Sequence, residues 1–339
     1  MTGVSESDLS TLQGQRLVEP RIPLASPDAS LDLSGDLENL FGLRVQYHNH
    51  PLIGFLNINS LRHKIVDLRI IVEKFLPDIL VIEETKLNSE FKMETFLMNN
   101  YQTPMRRDRN EFGGGLMQYV RKGVVCSRVF LFEVASLELI CSELTVNKKK
   151  WIIYSIYRPP EPRDLDSFFS ALSISLNSAL DKYDNVILMG DININTFDKE
   201  DGANQKLVNF CDVFGLSDLV TAKTCFTKTS SSSIDVILTN RVRSFQKTSV
   251  FETGLSDYHG LVVTVLKSHI PRLKPKVIKY RNYKNFDPVK FIADVRRTNF
   301  DALEDPEDCY NNLTNNFRNL VDKHAPLKLS LREEIVHLS

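Results

Sequence analysis

The chain has 339 residues, of which 42% are hydrophobic and 25% are charged, and its formal net charge is −1. Such a composition is ordinary for a globular protein and allows one large domain or two small ones. The small net charge provides no overall attraction to nucleic acid. Contacts with a polyanion would therefore depend on local basic patches and on metal ions.

The cysteine pattern and the N-terminal residues indicate the compartment. Five cysteines are scattered without a C-x-x-C pair, which argues against a disulfide framework or a zinc site and fits a reducing compartment. The first residues lack the basic start and apolar run of a signal peptide, and no apolar stretch approaches the roughly 20 residues that cross a bilayer. We expect a nuclear or cytoplasmic protein without a membrane span.

Residues 1–46 are rich in Ser, Asp, Glu and Pro and show no sustained periodicity, which predicts a mobile polar tail. Leu37 to Leu43 is the one candidate for a short helix in this tail. From Pro51 onward, a strand-like run precedes apolar residues at helical spacing over Leu61 to Phe75, and Ile79 to Ile82 follows as a second strand. Helices separate some of the later strands and hairpins join others, so the pattern predicts two mixed sheets with helices outside them.

The composition changes after Leu266, and residues 269–339 are predicted to form a basic linker and a helical C-terminal segment. Residues 267–284 carry seven basic residues, two tyrosines and no acidic residue. Such a run can follow a nucleic-acid backbone, and a plain linker is an equal alternative. Asp287-Pro288 and Asp305-Pro306 each combine an N-cap with a first-position proline, which predicts helices near 288–297 and 306–323.

A polar turn follows the most apolar strand of the chain. Val186 to Met189 is a continuous apolar run that ends in Gly190-Asp191-Ile192-Asn193. A strand of this kind is buried on both faces, and ligands bind beyond the carboxyl ends of strands in open α/β sheets. Asp191 and Asn193 would point to the same side. A surface turn is the alternative explanation, because Gly, Asp and Asn are common turn residues.

Other apolar strands also begin or end with a polar side chain, and together they suggest one site. These residues are Asn57, Glu84, Tyr157, Asp235, Asp257 and His259. Carboxylate and amide oxygens suit Mg²⁺, with Mn²⁺ as an alternative. A histidine beside a carboxylate can transfer a proton or stabilise a phosphate. The combination predicts metal-assisted attack of water on a phosphorus ester.

Six segments carry a family resemblance by their order and separation: LNINSL, IEETKL, YSIYRPP, MGDININ, SSIDVILTN and GLSDYHGL. They resemble the endonuclease/exonuclease/phosphatase family, and most closely the endonuclease domain of LINE-type (non-LTR) retrotransposon proteins, which are relatives of apurinic endonucleases and pancreatic deoxyribonuclease. The resemblance covers about residues 50–268. Lys323 to Lys328 is similar to the segment that leads to reverse transcriptase in such proteins, and we expect a chain truncated before that domain.

The resemblance implies an α/β fold, a deoxyribonuclease-like four-layer sandwich of two mixed sheets flanked by helices. It also implies that Glu84 is the direct carboxylate ligand of the metal and that Asn57 helps to hold it. Glu83, the neighbour of Glu84 on the strand, is expected to face the other way. Tyr157 would bind the scissile phosphate, and Asp191 would orient or deprotonate the attacking water.

The remaining roles also follow from the resemblance. Asn193 would bind phosphate or metal-bound water. Asp235 would pair with His259, whose imidazole stabilises the charge that develops on phosphorus. Asp257 would be a further acidic group near the metal. Ser256 and Thr224 would contact the DNA backbone or support the site.

The chain departs from the family at one motif. The family usually has Ser-Asp-His without a gap, whereas this chain has Ser256-Asp257-Tyr258-His259. One extra residue reverses the side of a strand unless a bulge absorbs it, so we expect either Asp257 or His259 to be displaced. We favour His259 in the site, because imidazole is the harder group to replace.

Three functions are consistent with these residues. The first is a Mg²⁺-dependent endonuclease that nicks one DNA strand, leaves a 3′-hydroxyl and binds DNA through its phosphate backbone. The second is a related phosphoesterase acting on RNA or on a lipid or inositol phosphate. The third is a catalytically silent retrotransposon remnant. The YRPP strand end and the basic linker favour the first, since Lys and Arg suit a long polyanion. No obligate protein partner is evident.

Overall fold

The computed structural model describes residues 35–160, 164–270, 276–300 and 305–332. Its centre is a pair of six-stranded mixed sheets. In the first sheet, β1 and β2 are parallel and all other neighbours are antiparallel. The spatial order of its strands is β13 (Phe245–Phe251), β14 (Leu261–Leu266), β1 (Leu52–Asn57), β2 (Ile79–Glu83), β4 (Leu116–Val120) and β3 (Met105–Arg107).

The second sheet has the same mixed character, with β7 and β8 as its parallel pair. Its order is β5 (Val125–Arg128), β6 (Glu138–Val146), β7 (Lys149–Tyr157), β8 (Val186–Asp191), β12 (Asp235–Thr239) and β9 (Ser217–Asp218). A short ribbon of β10 (Cys225–Phe226) and β11 (Ser231–Ser232) lies between β9 and β12 in the chain. The predicted strands therefore form, with boundaries shifted by a few residues.

Four layers result from the alternation of side chains along each strand. One face of each sheet meets the other sheet in an apolar layer that includes Phe55, Val81, Ile153 and Ile237. The outer face of the first sheet packs against α1 (Gly35–Gln46) and α2 (Ile65–Phe75), and that of the second against α3 (Leu165–Leu180) and α4 (Gly202–Phe214). The predicted α/β sandwich with helices outside two sheets is confirmed.

The first helix corrects the expected extent of the N-terminal tail. Leu37, Leu40 and Leu43 of α1 are buried in the outer core of the first sheet. The guanidinium of Arg44 donates to the buried carboxylate of Asp78 at 2.6 Å. Burial of each leucine contributes roughly 1.5–3 kcal/mol, so residues 35–46 are part of the folded domain. Residues 1–34 of the predicted tail lie outside the described residues.

The C-terminal segment contains more regular structure than a linker. β15 (Lys276–Arg281) pairs antiparallel with β16 (Leu327–Arg332), and α5 (Pro288–Arg297) and α6 (Pro306–His324) lie between them. Asp287 and Asp305 cap the two helices as predicted, with a proline in the first turn of each. Part of the predicted basic linker is therefore a strand. The division of the chain near residue 268 remains a prediction.

The helices also bear on the predicted lack of a membrane span. Within the described ranges, none of them combines the length and the apolar character needed to cross a lipid bilayer.

Candidate active site

The two sheets bring polar side chains together at one edge of the layer between them. Phe55, Val81, Met189 and Ile237 face this layer. Residues two positions away on the same strands share that direction; they are Asn57, Glu83, Asp191 and Asp235. Asn57 lies opposite Glu83 in one sheet, and Asp191 lies opposite Asp235 in the other. The amide Nδ2 of Asn57 donates to Oδ2 of Asp191 at 2.9 Å, which joins the two sheets at this edge.

Asp191 is buried at the end of β8 and is held by several partners. Its Oδ1 accepts a hydrogen bond from the backbone N–H of Asn193 at 2.8 Å, and its Oδ2 accepts one from Asn57. Burial and the neighbouring charge of Asp235 raise the pKa of Asp191 to about 7, against the lowering effect of His259. A carboxylate that is fixed and titrates near neutrality is suited to proton transfer at physiological pH.

Asp235 and His259 form the second pair at this edge. Oδ2 of Asp235 lies 3.3 Å from Nδ1 of His259, and its buried Oδ1 has no partner among the described residues. Burial lowers the pKa of His259, but the hydrogen bond and charge of Asp235 outweigh it, so the pKa is raised overall. Oγ of Ser256 accepts the backbone N–H of His259 at 3.2 Å. Ser256 thus supports the segment that carries the imidazole.

Glu84 and Tyr157 meet at the same edge. The hydroxyl of Tyr157 donates to Oε1 of Glu84, and Nζ of Lys86 lies 3.2 Å from Oε2 of Glu84. Burial, together with the hydrogen bond and charge of Glu84, raises the pKa of Tyr157 far above its ordinary value. The phenol therefore stays protonated and remains a hydrogen-bond donor. The ammonium of Lys86 shows that Glu84 accommodates a cation.

Glu83 was expected to face away from the site, and this expectation was wrong. It is fully buried, and its Oε2 accepts the backbone N–H of Asp191 at 2.8 Å. Burial and the charge of Asp191 raise its pKa well above 4.5, which favours the protonated carboxyl group. Glu84 does not face the side opposite to Glu83, as the alternation of strand side chains would require, because its backbone is left-handed, with φ 52°. The inward positions of Ile79 and Val81 on the same strand were the available signal.

The structure resolves which residue of the Ser-Asp-Tyr-His segment is displaced. The side chain of Asp257 is 59% exposed and contacts Asn59 at 3.2 Å and Lys64 at 3.5 Å. His259 turns inward to Asp235. Asp257 lies outside the acidic cluster of Asp191, Asp235 and His259 that the described residues form, and its role near the metal remains a prediction.

Two further residues have roles that differ from a substrate contact. Thr224 is fully buried, and its Oγ1 accepts the N–H groups of Ile234 and Asp235 at 3.3 Å each. It holds the start of β12 and cannot reach DNA, so the supporting alternative fits. Asn193 has φ 50°, and its Nδ2 donates to the carbonyl of Arg158 at 2.7 Å. The side-chain oxygen of Asn193 and the second N–H of its amide are left for a phosphate or a water.

The acidic character of the edge fits a small divalent cation. One ligand atom from each of Asp191, Asp235 and His259 lies within 4.8 Å of the others. Oδ1 of Asp235 is buried without a partner among the described residues. Oxygen-rich groups of this kind are the donors that Mg²⁺ prefers. Asp191, Asp235 and His259 therefore fit a divalent cation in both donor chemistry and charge.

The two layered sheets and their flanking helices define a deoxyribonuclease-like fold. Residues 151–262 match the family model described as "Endonuclease-reverse transcriptase". The resemblance to the endonuclease/exonuclease/phosphatase family that the motifs predicted is thereby confirmed. Among curated proteins, no sequence matches the chain.

Solved structures show the same fold at low sequence identity. The endonuclease domain of TRAS1, a telomere-specific non-LTR retrotransposon, has a TM-score of 0.54 at 13% identity, over 65% of this chain and 99% of that one. The Neisseria 3′ phosphatase NExo, bound to a product DNA hairpin, gives 0.52 at 18% identity over 64% and 99%. The AP endonuclease LMAP from Leishmania major gives 0.55 at 14% identity over 66% and 89%. At such identities the likeness establishes the fold.

Proposed function

We propose that this protein is a Mg²⁺-dependent phosphodiesterase that nicks one strand of DNA and leaves a 3′-hydroxyl. The observation that carries the proposal is the pair of contacts at the edge between the sheets. Asn57 holds Asp191 at 2.9 Å, and Asp235 lies 3.3 Å from His259 beside them. A fixed base next to an oriented imidazole is the arrangement that hydrolysis of a phosphorus ester needs.

Glu84 would hold the metal together with Asn57. A bound Mg²⁺ or Mn²⁺ would polarise the phosphate and neutralise its charge. Three side chains around this position prepare it by contacts with Glu84 and Asp191. Lys86 balances the charge of Glu84, Tyr157 fixes one of its oxygens, and Asn57 also orients Asp191. The phenol of Tyr157 would donate to a phosphate oxygen once its one hydroxyl hydrogen is released from Glu84.

Asp191 would accept the proton of the attacking water. Its pKa of about 7 leaves a large fraction ionised at neutral pH and keeps enough basicity to take a proton. The hydrogen bonds from Asn57 and from the N–H of Asn193 fix which oxygen lone pairs remain open. The side chain of Glu83 fixes the backbone of Asp191 by accepting a hydrogen bond from its N–H. Because these partners are in place before the substrate binds, little reorganisation accompanies the reaction.

His259 would stabilise negative charge on the phosphorus-bound oxygens. Asp235 contacts its Nδ1, which leaves Nε2 as the atom that faces a substrate. The raised pKa favours the protonated imidazolium. A cation positioned beside a developing oxyanion contributes most when water is excluded, and Asp235 is fully buried.

DNA is the substrate that we favour among phosphodiesters. Basic side chains lie next to the acidic edge, including Lys64, Lys86 and Arg109. Phosphate contacts of Lys and Arg set the register of a nucleic acid on a protein.

All five cysteines are free thiols, which supports the nucleus or the cytoplasm as the compartment.

The test is conversion of supercoiled plasmid to the open circular form. We expect nicking with Mg²⁺, none with EDTA, and a loss of at least about 100-fold in Asp191→Asn. Asp212→Asn, an exposed aspartate on α4, is the matched control and should nick normally. Extension of the nick by a DNA polymerase would demonstrate the 3′-hydroxyl. Turnover of a soluble phosphomonoester without plasmid nicking would favour the second function, and no turnover of either substrate would favour a silent remnant.

A further inference from the structure

Two large aromatic side chains at the rim of the active site are directed to solvent. The exposed fractions of Phe112 and Tyr258 are 84% and 50%. Among the described residues, neither ring makes a hydrogen bond or a contact with another aromatic or cationic group. We call Phe112 and Tyr258 the rim aromatics. Exposed apolar surface beside a catalytic site often marks a contact with a ligand.

The turn that carries Phe112 is rigid and is anchored to the site. Oδ1 of Asn110 accepts the N–H groups of Phe112 at 3.0 Å and Gly113 at 3.2 Å. Nε of Arg109 donates to the carbonyl of Gly113 at 2.9 Å, and its guanidinium lies 5.7 Å from the centre of the Tyr157 ring. These bonds fix the backbone of the turn. The exposed ring of Phe112 is three residues along the chain from Arg109, which contacts Tyr157 of the proposed site.

Tyr258 is the extra residue in the Ser-Asp-Tyr-His segment. Its carbonyl accepts the N–H of Phe226 at 2.7 Å, and the N–H of Gly260 donates to the carbonyl of Thr224 at 2.9 Å. These bonds fix the backbone on both sides of His259. His259 turns inward to Asp235 while the neighbouring ring of Tyr258 is left in solvent. The insertion thus adds an aromatic surface next to the imidazole without displacing it.

We propose that the rim aromatics stack on nucleobases next to the scissile phosphate, so that the substrate is a nucleic acid with accessible bases, in single strands or in locally opened duplex. This inference rests on the proposed function and narrows its substrate class. Stacking accepts any base, because every base has a flat face. Arg109 beside Phe112, and Lys64 beside the segment of Tyr258, supply positive charge for the adjoining phosphates. An inositol phosphate offers no base and would gain nothing from the two rings.

The binding experiment uses single-stranded oligonucleotides that contain 2-aminopurine, whose fluorescence is quenched by stacking. Titrations in EDTA prevent cleavage and measure affinity alone. We expect Phe112→Ala and Tyr258→Ala each to weaken binding by about 5- to 100-fold and to reduce the quenching. Phe112→Trp and Tyr258→Phe should restore both. Phe130→Ala, a ring that is 69% exposed on a separate turn, is the matched control and should bind normally.

A second substrate tests whether the effect comes from bases. In an oligonucleotide whose central bases are replaced by abasic spacers, the wild-type protein should bind about 5- to 100-fold more weakly, and the two alanine variants should lose nothing further. Equal or tighter binding of the abasic oligonucleotide by the wild type would overturn the inference, as would unchanged affinity of both variants for the intact strand. Normal quenching together with no cleavage in Mg²⁺ of either the plasmid or the single-stranded oligonucleotide would support base stacking and refute hydrolysis, so the two proposals can fail separately.

Discussion

Replacing Glu83 by glutamine should make the protein more stable at neutral pH than the wild type. Glu83 is fully buried under Asp191, and burial together with the charge of Asp191 raises its pKa well above 4.5. Glutamine has the same shape and no charge, and its side-chain oxygen can still accept the N–H of Asp191. The substitution therefore removes only the free energy that keeps a carboxyl group protonated inside the fold.

The sign and size follow from proton linkage. Below pH 4.5 the carboxyl group is protonated in both states, and Glu83 then costs no stability. Above pH 4.5 it ionises only in the unfolded chain, which lowers the free energy of unfolding by about 1.4 kcal/mol per pH unit up to the folded pKa. At pH 7.0 this amounts to a few kcal/mol at most. Glu83→Gln should recover that amount at pH 7.0 and almost none at pH 4.5.

The assay is urea unfolding of both proteins in EDTA across pH 4.5 to 8. The difference between the two free energies of unfolding should grow with pH. Glu94→Gln removes an exposed carboxylate on another turn and serves as the control, for which we expect no such growth. Parallel curves for wild type and Glu83→Gln over the whole range would refute the reasoning. Nicking should survive in Glu83→Gln and fall in Glu83→Ala, which leaves the N–H of Asp191 without its acceptor.

Three further predictions concern the same architecture. Gly190→Ala should lower the free energy of unfolding in urea by about 3 kcal/mol or more, because φ of Gly190 is 143° and a Cβ there would overlap neighbouring atoms. Gly202→Ala is the control: a Cβ at Gly202 meets open space, so the free energy of unfolding should hardly change. Asp235→Asn should lower the pKa of His259, so the high-pH limb of the nicking rate should move to lower pH, and an unmoved limb would contradict the pairing. Leu40→Ala should cost about 2–5 kcal/mol, since α1 packs in the core; a loss below about 0.5 kcal/mol would return this segment to the tail.

Local rules were sufficient for most of the secondary structure. The helices predicted near 288–297 and 306–323 span Pro288–Arg297 and Pro306–His324, because an aspartate N-cap and a first-turn proline act over a few residues. Likewise, the apolar run before Gly190 became a buried central strand. Such signals depend only on residues close together in the chain, so they can be recognised from the sequence alone.

The N-terminal helix shows where local signals were too weak. The segment from Leu37 to Leu43 was a helix candidate, but it follows a long polar stretch and contains Gly42, which disfavours a helix on its own. The helix is stabilised by the outer face of the first sheet and by the contact of Arg44 with Asp78. Tertiary packing of this kind outweighs intrinsic propensity in most protein helices.

The sequence by itself determined which residue types lie at the strand ends. Only the tertiary structure decided which of them face the site. A left-handed residue at Glu84 directs two consecutive glutamates to one edge, and the extra residue beside His259 turns Asp257 outward. Side-chain direction at a strand end depends on one or two backbone dihedrals, and contacts between distant segments select those dihedrals.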